Sequence, residues 1–176
     1  MAATETPDAV ALLKADHRKV EDLFDKFEAA KGAGRKQALA EEICMELTIH
    51  TKIEEDVFYP ACEGAVEEDL LKEAYVEHDA AKVLIAEIEA GGPDDDFYDA
   101  KVKVLSEQIQ HHVEEEEKRV EGMFSQARKA GLDMDALGAT MAAEKAQLKA
   151  AYRKSGLPTP PTPTLDATTI GQPAGG

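Results

Sequence analysis

The sequence contains no tryptophan and only two cysteines among 176 residues, and aromatic side chains make up 5% of it. Sheets draw on aromatic and β-branched residues, so this poverty, beside abundant Ala, Glu, Lys and Leu, argues for helix over strand. Long apolar runs are missing too. Nowhere do about 18 apolar residues follow one another, as a membrane-spanning helix needs, and the opening MAATETPDAV lacks the basic-then-apolar order of a secretory leader. Positive charge is scarce: thirty-six acids against twenty bases leave a net charge of −16, which repels phosphate backbones and anionic lipid surfaces. Neither nucleic acid nor membrane is expected as a partner, and a cytoplasmic location is expected. Cys44 and Cys62 fall on one expected helix, about 27 Å apart by helical rise, too far to bridge each other. They read as reduced, buried, small apolar side chains.

What is present is helical periodicity. Thr6, Pro7 and Asp8 offer a capping hydroxyl, a proline suited to the first helical position and an acid for the first turn, predicting a helix from about 7 to 31. Its seam of Val10, Leu13, His17, Val20, Phe24 and Phe27 steps by threes and fours. Gly32-Ala33-Gly34 breaks it. A second helix, about 35 to 61, turns Leu39, Ile43, Leu47, His50, Glu54, Val57 or Phe58, and Ala61 inward, and Pro60, Glu63 and Gly64 end it. The third, about 67 to 90, presents Leu71, Ala74, His78, Ala81, Ile85 and Ile88 and stops at Gly91-Gly92-Pro93. Asp94, Asp95 and Asp96 suit the start of a fourth helix. It is expected to reach about 130, with Tyr98, Val102, Leu105, Ile109, His112, Glu116, Val120, Met123 and Ala127 inside and His111 outside. The expected fold is all-α: an up-down-up-down four-helix bundle over 7–130, an additional C-terminal helix over 131–156, and a flexible Pro/Thr-rich tail over 157–176.

Short connections force successive helices to alternate in direction, so residues equidistant from a turn meet at one height. The midpoint of His17 and His50 falls in the Gly32–Gly34 turn, that of His50 and His78 at Gly64, and that of His78 and His112 at Asp95. Four inward histidines therefore share a level. Glu54 and Glu116 lie one turn beyond His50 and His112 on the same faces. Two carboxylates buried in an apolar bundle are costly unless something satisfies them. A pair of dications bridged by both glutamates does so, each taking two imidazoles and keeping positions for an oxo, hydroxo or small ligand. Such a donor set favours iron; a lone tetrahedral zinc would leave half of it without a function. A ferritin-like site needs Glu-x-x-His on two helices, a spacing the chain lacks. Glu55 and Glu117, about 100° off the inward stripe, read as solvated, the favoured option, or as outer acceptors for imidazole N–H groups. A competing structural reading makes the polar layer a register device in an interaction module.

LLKADHRKVEDLF around His17, IHTKIEEDVFYP around His50 and Glu54, VEHDAAKVLIAEIE around His78 and HHVEEEEKRV around His112 and Glu116 together resemble the haemerythrin-like family of HHE cation-binding domains, over about residues 8 to 130. The later LDMDALGATMAAEKAQL is similar to a C-terminal helix seen in many bacterial members. The resemblance implies a non-haem, carboxylate-bridged pair of iron ions, with an oxo or hydroxo bridge, able to meet dioxygen, peroxide or nitric oxide. By motif position His17, His50, His78 and His112 would be terminal ligands, with Glu54 and Glu116 bridging. Oxygen-carrying members hold five histidines, two of them a turn apart on the third helix. Here Ala74 and Lys82 flank His78, which argues against reversible oxygen carriage. Val120-Glu121-Gly122 also replaces an expected Phe-Pro ending. The implied role is to bind, sense or turn over a small oxidant or nitric oxide, by peroxidase- or catalase-like chemistry if enzymatic. Iron storage, iron delivery or repair of iron centres is the alternative. The pattern leaves open whether Tyr59 or Tyr75 takes an iron position.

Overall fold

The structure is a computed structural model that describes residues 6–165, and every regular element among them is helical. Helix α1 spans Ala9–Ala29 and α2 spans Ala33–Ile53, continuing through a π-helical turn, Glu54–Phe58, into α3, Tyr59–Cys62. Helices α4 (Glu68–Ala90), α5 (Tyr98–Glu117), α6 (Met123–Lys129) and α7 (Met134–Ser155) follow. The four staves of the bundle are α1, the α2–α3 rod, α4 and α5. Asp8, not Thr6, caps α1, accepting from the Ala11 N–H at 2.8 Å while Arg128 holds the same carboxylate. An acid there also complements the positive end of the helix dipole.

Two apolar clusters fill the bundle. One, with Phe27, Leu39, Ile43, Ile85, Tyr98 and Leu105, occupies the end near the α1–α2 and α4–α5 turns. The other, with Leu13, Ile53, Phe58, Leu71, Met123 and Met141, is closed off by α6 and α7. Between them lies a buried layer containing His17, His50, Glu54, His78, His112 and Glu116. Helix α7 packs across α1 and α2. It passes so close to the start of α1 that a Cβ on Gly138 would lie 2.3 Å from the Pro7 carbonyl oxygen, and glycine alone permits that approach.

Two features depart from the sequence expectation. The fourth helix does not run unbroken to 130, because α5 ends at Glu117 and Lys118 is extended (φ −48°, ψ 129°). Glu114 to Glu117 crowd the negative end of the helix dipole with no base in the last turn, which weakens that end. Gly122 then folds back against it, where a Cβ would sit 2.4 Å from the Lys118 carbonyl oxygen. Val120 is consequently thrown out to 77% exposure, while Met123 and Ala127 reach the core from the separate helix α6. The second departure is Pro60, which lies inside the helical rod instead of ending it. The Tyr59 N–H bonds to the Glu54 carbonyl, five residues back, and this extra residue rotates the later phase by about 100°. Tyr59 and Cys62 therefore point inward, whereas Ala61 is only half-buried.

Cys44 and Cys62 are free and buried. No described helix is long and apolar enough to cross a membrane. Residues 157–165 form neither helix nor strand, but Leu157 packs on the first apolar cluster and Thr164 bonds to Asp79. The remainder of the expected tail, from 166 onward, lies outside the described residues.

Candidate metal centre

The heights inferred from turn midpoints bring all six singled-out side chains into one layer. His17 Nε2 lies 3.2 Å from His50 Nε2, and His78 Nε2 lies 3.1 Å from His112 Nε2, giving two facing pairs. The glutamates link the pairs. Glu54 Oε2 is 3.2 Å from both His50 Nε2 and His78 Nε2, and the two Glu116 oxygens lie 3.3 Å from His17 Nε2 and 3.4 Å from His112 Nε2. His17, His50, Glu54 and Glu116 each offer an atom within 4.8 Å of the others, as do Glu54, His78 and His112. The π-helical turn adds a seventh group: the Tyr59 hydroxyl is 3.0 Å from His78 Nε2, 3.4 Å from His112 Nε2 and donates to Glu116 Oε1 at 3.0 Å. Periodicity alone could not place Tyr59 here, although Pro60 inside an apolar helical run was its signal. Tyr75 instead packs edge-on against the Tyr59 ring.

Outside the layer, each of its four histidines turns its Nδ1 towards a carboxylate from the neighbouring stave. Asp16 on α1 faces His50, Glu55 faces His78, Glu77 on α4 faces His112, and Glu117 on α5 returns to His17. The ring closes around the bundle. Three of these contacts are hydrogen bonds of 2.7–3.0 Å; Asp16 stands 3.6 Å from its partner, beyond that range. An acceptor at Nδ1 selects the tautomer protonated there and aims the Nε2 lone pair inward, as a metal ligand requires. Each carboxylate is pinned from behind: Asp16 by Lys145, Glu55 by Lys82, Glu77 by His111 and Glu117 by Arg18. Glu55 and Glu117 are thus outer acceptors, not members of a solvated face. Asp16 and Glu77 escaped the sequence reading, though each is the chain neighbour of an inward histidine.

Burial opposes the charged form of His17, His50 and His112, yet the carboxylates around these three more than offset it. Glu54 and Asp16 push His50 up to about 10. Contact with Glu116 raises His17 and carries His112 well above the ordinary range. Glu116 shows the converse: burial would raise it, but His112 and His17 hold it well below the usual carboxylate range. Burial and the Glu116 and Glu54 charges push the Tyr59 phenol well up.

Without protons between them, Nε2 atoms about 3 Å apart would aim lone pair at lone pair. Glu54 Oε1 and Glu116 Oε2 are buried with no hydrogen-bond partner among the described residues. Both facts mark positions where a cation would satisfy groups that the protein alone leaves facing one another. The imidazole, carboxylate and phenol donors suit a borderline transition metal, so these residues fit a pair of such ions. A cavity of about 10 Å³ touches all four histidines on the side of the first apolar cluster, room for about one water-sized guest.

The family described as hemerythrin HHE cation binding domain matches residues 8–124. A DNA nickase of Nostoc sp. is 29% identical over 106 residues, which take in 60% of this chain but only 30% of that protein's length. The crystal structure of a hemerythrin HHE cation binding domain-containing protein from Mycobacterium kansasii superposes with a TM-score of 0.70 at 23% identity, covering 86% of this chain and 95% of its own. That last likeness is one of fold.

Proposed function

This chain belongs to the hemerythrin HHE cation-binding domain family, and from that membership we propose that its buried layer holds two iron ions that meet a small oxidant or nitric oxide. His17 and His50 would hold one ion, His78 and His112 the other, and Glu54 and Glu116 would be shared. Tyr59 is a further donor on the His78–His112 side. Bound iron supplies exchange between ferrous and ferric states, and with it capture of nitric oxide or reduction of dioxygen or peroxide. The observation that carries this reading is the convergence of four imidazoles and two carboxylates, all nearly inaccessible to solvent, from four staves.

The chain's own groups would orient, exclude water and hold protons. The outer carboxylates fix the imidazole tautomers, the two apolar clusters keep bulk water out, and the cavity restricts a guest to a few atoms. Tyr59 adds an asymmetry between the two positions that a missing fifth histidine would otherwise remove. Its hydroxyl donates to Glu116, and its ring belongs to the second apolar cluster, across the layer from the cavity. Full burial also favours retention of the ions over ready delivery to an acceptor.

The test is a spectrum followed by turnover. Iron-loaded protein should show the near-ultraviolet absorption of a bridged ferric pair and evolve oxygen from peroxide or oxidise a substrate with it, both lost in His112→Ala. A loaded, spectroscopically normal protein that binds nitric oxide but is inert to peroxide would leave the binding role and remove the enzymatic one. Rapid surrender of iron to a weak chelator would favour the iron-delivery alternative.

A further inference from the structure

Behind His78 lies a chain of contacts that reaches the C-terminal segment. His78 Nδ1 faces Glu55 Oε1 at 3.0 Å, and the Lys82 ammonium, 8% exposed, binds Glu55 at 2.8 Å and Asp79 Oδ1 at 2.9 Å. Asp79 Oδ2 then accepts two hydrogen bonds of 2.7 Å, from the backbone N–H and the hydroxyl of Thr164. The other carboxylate oxygen is already committed to Lys82. Thr164 thus completes the coordination of an acid that is itself almost wholly buried.

The segment is anchored at both ends of its path. Leu157 packs on the first apolar cluster, Pro158 and Pro160 lie along a groove formed with Thr48 and Ile85, and a turn closes from the Leu165 N–H to the Thr162 carbonyl around Thr164. Pro158, Pro160, Pro161 and Pro163 pre-extend the chain, which lowers the entropy lost when it is laid down. Among the described residues the other three histidines of the layer have nothing equivalent. Lys145 of α7 backs Asp16, while Glu117 and Glu77 are backed by Arg18 and His111, which are 57% and 59% exposed.

We propose that residues 157–165 are a positioning strap for the metal centre: Thr164 fixes Asp79, Asp79 holds Lys82, and Lys82 holds Glu55, which sets the orientation and tautomer of His78 alone. The inference rests on the two-ion reading for its consequence, but the strap itself is testable without metal. The His78 Nδ1–H in metal-free full-length protein, assigned by its loss in His78→Gln, reports the contact with Glu55. Thr164→Pro removes both donors to Asp79. It should speed exchange of that ring proton with water by about tenfold, the worth of one charge-assisted hydrogen bond, and leave the His17 and His112 ring protons unmoved. Thr164→Ser keeps both donors and should restore the original exchange rate.

Loaded with ferrous iron under anaerobic conditions, Thr164→Pro should lose one of its two ions to a chelator about threefold to tenfold faster, a milder effect than loss of a carboxylate in direct contact with a ligand. The same His78 exchange rate in Thr164→Pro and the unaltered protein would overturn the strap whatever the metal content. A shifted His78 proton in a chain that takes up no iron would sustain the strap and overturn the two-ion reading. Acceleration of both ions together would overturn the claim that the strap acts on His78 alone.

Discussion

His17 stacks on the ring of Phe124, with centroids 5.9 Å apart, whereas His78 stacks on Tyr59, whose hydroxyl also reaches His112. The two histidine pairs share both glutamates and the same cyclic pattern of outer carboxylates. They differ in what stands behind them: the His78 side is backed by a buried lysine and a phenol, while the His17 side is backed by an arginine in water and a phenylalanine. Like imidazole pairs in unequal surroundings, only one of them with a phenol at hand, are a means of making two ions chemically distinct. On the two-ion proposal this arrangement would also separate roles by depth, the shared glutamates deciding whether ions bind and the outer groups how firmly each is held.

The largest expected effect abolishes the comparison. Glu116→Ala removes a carboxylate common to both pairs and should eliminate uptake at both positions, measured by elemental analysis after anaerobic iron loading, with helicity retained by circular dichroism. Next come two changes that should differ from each other. Glu55→Gln leaves the Lys82 ammonium buried with Asp79 alone, and should weaken one ion by about a hundredfold; Glu117→Gln leaves only the exposed Arg18, and should weaken the other by about tenfold. Equal losses in competition titrations would break the distinction.

A smaller effect separates metal-free from loaded protein by pH. His50 rises from 6.5 unfolded to about 10 folded, so its contribution to metal-free stability is full below 6.5 and is lost as pH climbs through 10. Glu116 is held low, so its contribution is present above the ordinary carboxylate range and is lost as pH falls through the lowered value. Thermal unfolding of the metal-free chain should weaken at both extremes. Bound ions would compete with protons that His17, His50 and His112 hold more tightly than free imidazole does, so metal affinity should rise with pH and binding should release acid. The smallest effect is Arg18→Ala, an exposed ion pair worth at most about 1 kcal/mol of stability by denaturant titration.

The staves and the six layer residues were legible because two simple periodicities carried them, the helical repeat along each stave and the mirror relation across each short turn. Tyr59 was not, because the π-helical turn that inserts it depends on how Pro60 is accommodated, and a regular repeat has no term for that. Lys118–Gly122 hid for a similar reason: Val120, Met123 and Ala127 continue the α5 stripe in phase, although a turn folded on Gly122 intervenes. The outer carboxylates were half visible. Glu55 and Glu117 could be placed off the stripe, but whether a glutamate there meets water or the next stave's histidine is decided by packing between helices. Thr164 had no local signal, since its partner Asp79 is 85 residues away in the chain.

Anaerobic titration of the metal-free chain with ferrous iron, read by bound metal and released protons together, bears on all of this at once. Saturation at about two ions per chain with release of protons from the imidazoles is the expected result, collapsing in Glu54→Ala and Glu116→Ala. Saturation at one ion or none, or uptake indifferent to those two substitutions, would contradict it.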